Sequence, residues 1–188
     1  VRDLLAGGAK PNGAKDSKDG WYPLHHAAIR GYPSIANLLI KAHATVDAAN
    51  DHDRTALHLA ARNGNREVVE ALLNAGADKA LKNNAGDTAL HTAAEHGNIQ
   101  VVEALLEAEA DKADKADKAV KNNRGKTALA LAQQENHTDI VDLLSDPPQD
   151  ATAAAEVEAA AGDAEQPQEL SEEEQKKVDK ELLSAVKK

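Results

Sequence analysis

Cysteine is absent from the 188 residues of this chain, and aromatic residues make up only 2% of them. The first absence removes disulfides, thiolate nucleophiles and cysteine zinc sites, and leaves the redox compartment open. The second argues against a conventional globular core, which draws much of its buried area from Phe and Tyr. No apolar run comes near the ~18 residues needed to span a bilayer, and there is no signal-like hydrophobic segment. Gly-rich phosphate loops are missing. Ser17, Ser34, Ser145, Ser171 and Ser184 lie in no nucleophile-elbow pattern. Nucleic acid calls for a continuous basic stripe that releases counterions, and a net charge of -10 argues against one.

Ala, Leu, Val and Ile remain to build a core, and they recur with a fixed period. Pro23-Leu24-His25-His26-Ala27, Ala56-Leu57-His58-Leu59-Ala60 and Ala89-Leu90-His91-Thr92-Ala93 are copies of one motif, and Ala128-Leu129-Ala130-Leu131-Ala132 is a worn copy. Leu24 to Leu57 and Leu57 to Leu90 span 33 residues each, and Leu90 to Leu129 spans 39. A second apolar segment follows each motif, as in Glu67-Val68-Val69-Glu70-Ala71-Leu72-Leu73 and Gln100-Val101-Val102-Glu103-Ala104-Leu105-Leu106. Apolar residues at i, i+3 and i+4 give such a helix one stripe, which only a stacked neighbour can bury. Gly31, Gly64 and Gly97 separate the two helices of successive units, with Asn136 as the substitute in the last. Gly20, Gly86 and Gly125 fall at the tips between units, where Asp53 is the exception.

This period with this motif resembles the ankyrin repeat family. The resemblance covers about 1–145: a partial repeat over 1–12, then units at about 13–48, 49–80, 81–119 and 120–145. It implies an all-α solenoid of stacked helix pairs joined by short hairpin turns. Residues 1–12 look like the closing helix and loop of a unit, so further repeats or another domain are expected upstream. Gln133, Gln134 and Glu135 make the last first-helix polar, and Pro147-Pro148 stops its partner, which reads as a terminating cap.

Two extra Asp-Lys-Ala triplets over 111–119 account for the 39-residue spacing. Glu109 replaces the glycine found at Gly76, so the second helix of the third unit is expected to run on by about a turn or more. Beyond Ser145 the composition changes. Ten Asp and Glu and no Lys or Arg occur between Asp146 and Gln175, which reads as an acidic disordered linker over 146–170. Ser171 with Glu174 resembles a capping box, and Val178, Leu182, Leu183 and Val186 share one face of an amphipathic helix expected over 171–188. That helix either docks on the array or binds a partner.

The ankyrin resemblance implies a partner surface made of hairpin tips and the exposed side of the first helices. The matching residues are Lys18, Asp19, Trp21, His52, Arg54, Asp87, Arg124 and Lys126 at the tips, and Arg30, Arg62, Asn63, Glu95 and His96 on the helices. Trp21, Arg54, Arg62 and Asp87 are the leading candidates. Trp21 reads two ways, as an interface anchor or as a cover for the edge of the first unit. His25, His58 and His91 fall at one equivalent position, where the family's histidine bonds backbone to hold neighbouring hairpins. Stacked units lie about 10 Å apart and zinc needs its ligands within ~2.1 Å of one ion, so these three cannot share a metal.

The expectation is a non-catalytic protein-interaction module that needs no cofactor or metal. Its partner is another protein, with no nucleic acid, membrane or small-molecule substrate. A monomer in the cytoplasm is expected. The alternative is a regulatory or targeting segment of a larger protein, possible enzymes included, that extends upstream of Val1.

Overall fold

The computed structural model describes residues 8, 10–13, 19–108 and 116–145. All of them belong to one compact unit, Val1–Asp146. The linker and helix expected over 146–188 lie outside the described residues, as do Lys18, most of 1–12 and the triplets at 111–115.

Helices alternate in pairs: α1 (Pro23–Arg30) with α2 (Pro33–Lys41), α3 (Ala56–Arg62) with α4 (Arg66–Asn74), and α5 (Ala89–Glu95) with α6 (Ile99–Glu107). A single turn, α7 (Ala116–Ala119), precedes the last pair, α8 (Ala128–Gln134) and α9 (Thr138–Leu144). The described residues are all-α, with no strand among them. The first helices form one layer, in which α1 packs on α3, α3 on α5 and α5 on α8. The second helices α2, α4, α6 and α9 form the other layer in the same order.

Composition explains the two layers. In α3 the run Ala56, Leu57, His58, Leu59, Ala60 and Ala61 is buried throughout, because helices press on it from three sides. Its alanines let those neighbours approach closely. In α4 only Val68, Val69 and Leu72 are buried, which is the single stripe the spacing predicts. Each large apolar side chain covered in this way is worth about 1.5–3 kcal/mol. The core is therefore a row of thin Leu, Val and Ala layers.

The expected extension of α6 is not found. The helix ends at Glu107, the position equivalent to Asn74 at the end of α4. Glu107 and Ala108 are exposed, so no burial at its end favours continuing the helix, and helix propensity alone rarely sustains a helix without packing. Asn136 does stand in for the inter-helix glycine, with a φ of 60°. Asp53 likewise adopts a left-handed φ of 54° at its hairpin tip, as Gly86 does at 76°.

Candidate functional site

Three asparagines at one equivalent position shape the hairpins. The Asn50 side-chain oxygen accepts from the backbone N–H groups of His52 and Arg54, both at 2.9 Å. Asn83 accepts from Ala85 (2.8 Å) and Asp87 (3.1 Å), and Asn122 from Arg124 and Lys126 (3.0 Å each). Short polar side chains that bond their own backbone two residues on are turn formers. Each turn then leans on the one before it: Asp51 N–H donates to the Asp19 carbonyl, Asn84 to His52, and Asn123 to Ala85. The result is a ladder of hairpin bases running beside the first helices.

The equivalent histidines fasten that ladder to the helices. Nδ1 of His25, His58 and His91 accepts from the N-cap backbone N–H of Tyr22 (2.9 Å), Thr55 (3.2 Å) and Thr88 (3.3 Å). An accepting Nδ1 carries no proton, so the proton resides on Nε2. That atom donates to the carbonyls of Ala48 (2.9 Å), Asp87 (3.0 Å) and Lys126 (3.2 Å), each beyond the histidine's own helix pair. Burial holds the pKa of His58 and of His91 below the usual histidine value, although hydrogen bonds and the Asp87 carboxylate pull the other way. Both rings are neutral near pH 7.

A second set of periodic clamps, not recognised from the sequence, joins the helix layers. The Asn65 amide donates to the carbonyl of Ala28 (2.7 Å), and Asn98 donates to those of Ala61 (2.8 Å) and Arg62 (2.9 Å). In the fourth unit His137 Nε2 takes this place, 3.3 Å from the Glu95 carbonyl. Each clamp begins a second helix and satisfies the orphan C-terminal carbonyls of the preceding unit's first helix. Their spacing of 33 and 39 residues was the available signal.

Between hairpin bases and first helices lies an open concavity of about 470 Å³. Five of the expected site residues, Arg54, Arg62, Asp87, Glu95 and His96, line it, together with His58, Leu59, Asn83, Ala85, Thr92 and Glu135. Their roles differ. Asp87 is only 5% exposed and its carboxylate accepts from Asn122 Nδ2 at 2.7 Å, so it is committed to the hairpin ladder. Glu95 pairs with Arg124 at 3.1 Å. His96 Nδ1 donates to the Thr92 carbonyl at 2.9 Å and stays exposed. Arg54 and Arg62 have no ion pair or side-chain hydrogen bond among the described residues.

The remaining expected residues are not gathered there. Trp21 is partly buried against the core, with its ring 5.1 Å from that of His26 and 6.5 Å from that of His25. Asp19 and His52 meet each other at 4.0 Å on adjacent tips. Asn63 bonds back to the Leu59 carbonyl of its own helix, Lys126 bonds Gln134, and Arg30 is exposed on the neighbouring unit. Lys18 lies outside the described residues.

Among the described residues no three His, Asp or Glu side chains converge in a way that could hold a metal, and no helix is long and apolar enough to cross a membrane. A family model described as ankyrin repeats (3 copies) matches residues 1–83 and 75–155. No curated protein matches the chain significantly.

Proposed function

Since the chain belongs to the ankyrin repeat family, whose members generally serve as protein–protein interaction modules, we propose that it is a non-catalytic binding module that grips a protein partner. The partner lies in the concavity formed by the hairpin bases and first helices of the second to fourth units. One observation carries this reading: Arg54, Arg62, Glu95 and His96 face a single open concavity while the core is complete without them. Enclosed, mostly apolar pockets suit small molecules, whereas an open polar trough with planar guanidinium groups suits an extended protein surface. Arg30, Asn63, His52, Asp19, Lys18, Arg124 and Lys126 would form the rim. Trp21 supports the edge of the first unit and Asp87 the ladder, which makes both indirect contributors.

The test is affinity capture from a cytosolic extract with mass spectrometry, on the full chain and on an Arg62→Glu, His96→Ala variant that retains its helicity and cooperative unfolding. A protein captured by the first and lost by the second supports the concave face. An identical captured set for both rejects it.

A further inference from the structure

Among the described residues several cations are already engaged. Arg66 is tied on the second-helix side to Glu70 (2.7 Å), Glu103 (3.5 Å) and Glu107 (3.8 Å). Arg124 is tied to Glu95, and Lys82 donates to the Lys121 carbonyl at 3.0 Å. Arg54 and Arg62 have no such partner among the described residues, and both line the same concavity. A guanidinium presents a rigid fork of donors that matches a carboxylate in two bonds. Two unengaged forks facing one trough are a recognition element awaiting anions.

Acidic groups in the trough form no ion pair with them among the described residues. Glu95 is paired with Arg124, and the Asp87 carboxylate, although charged, is 5% exposed and accepts from Asn122. Glu135 belongs to the fourth unit, two units away from Arg54 and Arg62. Its carboxylate accepts from the Gln134 side chain and makes no ion pair with either arginine among the described residues.

Resting on the reading that the concave face is the binding surface, we propose that its occupant is an acidic peptide segment of the partner protein, with two carboxylates held by Arg54 and Arg62. Arg62 ends α3 and Arg54 precedes its N-cap, Thr55, a separation of roughly 12 Å at helical rise. An extended chain advances ~3.3 Å per residue, so long arginine stems can reach carboxylates spaced two to four residues apart. Because the whole chain carries a net charge of -10, long-range attraction does not bring an acidic segment here. Recognition is local.

The probe is a fluorescein-labelled Glu-Ala-Glu-Ala-Glu peptide, with Lys-Ala-Lys-Ala-Lys as its counterpart, titrated into the full-length chain while amide NMR shifts and anisotropy are followed. The acidic peptide should shift resonances around Arg54, His58, Leu59 and Arg62. The Arg54→Gln, Arg62→Gln variant should bind it about tenfold more weakly or worse, and Lys41→Gln, a control exposed at the end of α2 in the other helix layer, should bind it nearly as well. No shift at these positions, or equal binding by the arginine variant, overturns the proposal. Preference for the basic peptide at the same residues overturns it too, while leaving the concave face as the binding surface. Changes in the resonances of residues 146–175 in the arginine variant without peptide would make the chain's own acidic segment the occupant, and would also overturn it. If neither peptide binds and the capture experiment is insensitive to Arg62→Glu, the broader reading fails as well.

Discussion

Asn98 fills the space that Gly64 leaves open: a Cβ on Gly64 would come within 2.8 Å of the Asn98 side-chain oxygen, while the Asn98 amide holds the Ala61 and Arg62 carbonyls. One residue ends a helix by adopting a left-handed φ of 70°, and the other, from the next unit, satisfies the carbonyls so exposed. Gly31 and Asn65 repeat the arrangement, and Gly97 and His137 do so with an imidazole. Neighbouring units are thus locked by paired positions as well as by apolar burial, which ties the geometry of the concave face to the stack.

Gly64→Ala and Gly76→Ala separate the two costs. Gly76 also has a positive φ, 85°, but a Cβ there meets nothing within 4 Å. Its replacement should cost about 1–2 kcal/mol of backbone strain. Gly64→Ala should cost roughly 1 kcal/mol more, because the Asn98 clamp must be displaced and its hydrogen bonds weakened. Adding Asn98→Ala to Gly64→Ala should therefore cost less than the sum of the two single changes. Urea unfolding of these four variants and the unsubstituted protein measures all three quantities.

The neutral histidines make stability depend on pH. The folded pKa values of His58 and His91 lie below the unfolded value of about 6.5, chiefly because burial disfavours the charged ring. Below that pH the unfolded chain takes up protons that the folded chain refuses, so stability is complete above about pH 6.5 and falls as pH drops toward the folded values. Both groups contribute in the same direction over that window. Unfolding free energies at pH 7.5 and 5.5 should show the loss, and His58→Gln should reduce it. A flat profile over that interval would refute the assignment.

Asp87 should behave as a structural residue. With 5% exposure and a 2.7 Å bond from Asn122, its carboxylate cannot be removed without leaving the Asn122 amide buried and unmet. Asp87→Ala should destabilise by about 1–3 kcal/mol and lower the melting temperature. Arg62→Glu, on an exposed side chain, should move it little. Thermal melts followed by circular dichroism distinguish the two. Equal effects would mean that exposure is a poor guide to role here.

The repeat architecture was legible because the Leu-His motif and the second-helix stripe recur at fixed spacing, and such stripes have only one way to be buried. The turns between paired helices were legible for the same reason, down to Asn136. Asn50, Asn83 and Asn122 recur just as regularly but passed unnoticed, since a turn asparagine can bond its own backbone or face solvent without any change in local sequence. Asn65 and Asn98 were hidden similarly, their partners lying 37 residues earlier. Asp87 looked like a tip residue of the same kind as Arg54, and only cross-unit packing distinguishes them. Propensity alone favours a longer α6, whereas helix length follows burial, and the residues at its end, Glu107 and Ala108, are exposed.

Site-specific photo-cross-linking tests the central claim most directly, with p-benzoylphenylalanine placed at His96, on the concave side, or at Glu70, exposed on α4 of the other layer. Irradiation in cell extract should give a discrete protein adduct from position 96, lost when Arg54 and Arg62 are also changed to Gln, and none from position 70. An adduct from position 70 alone, or one from position 96 that is indifferent to the arginines, would contradict the account.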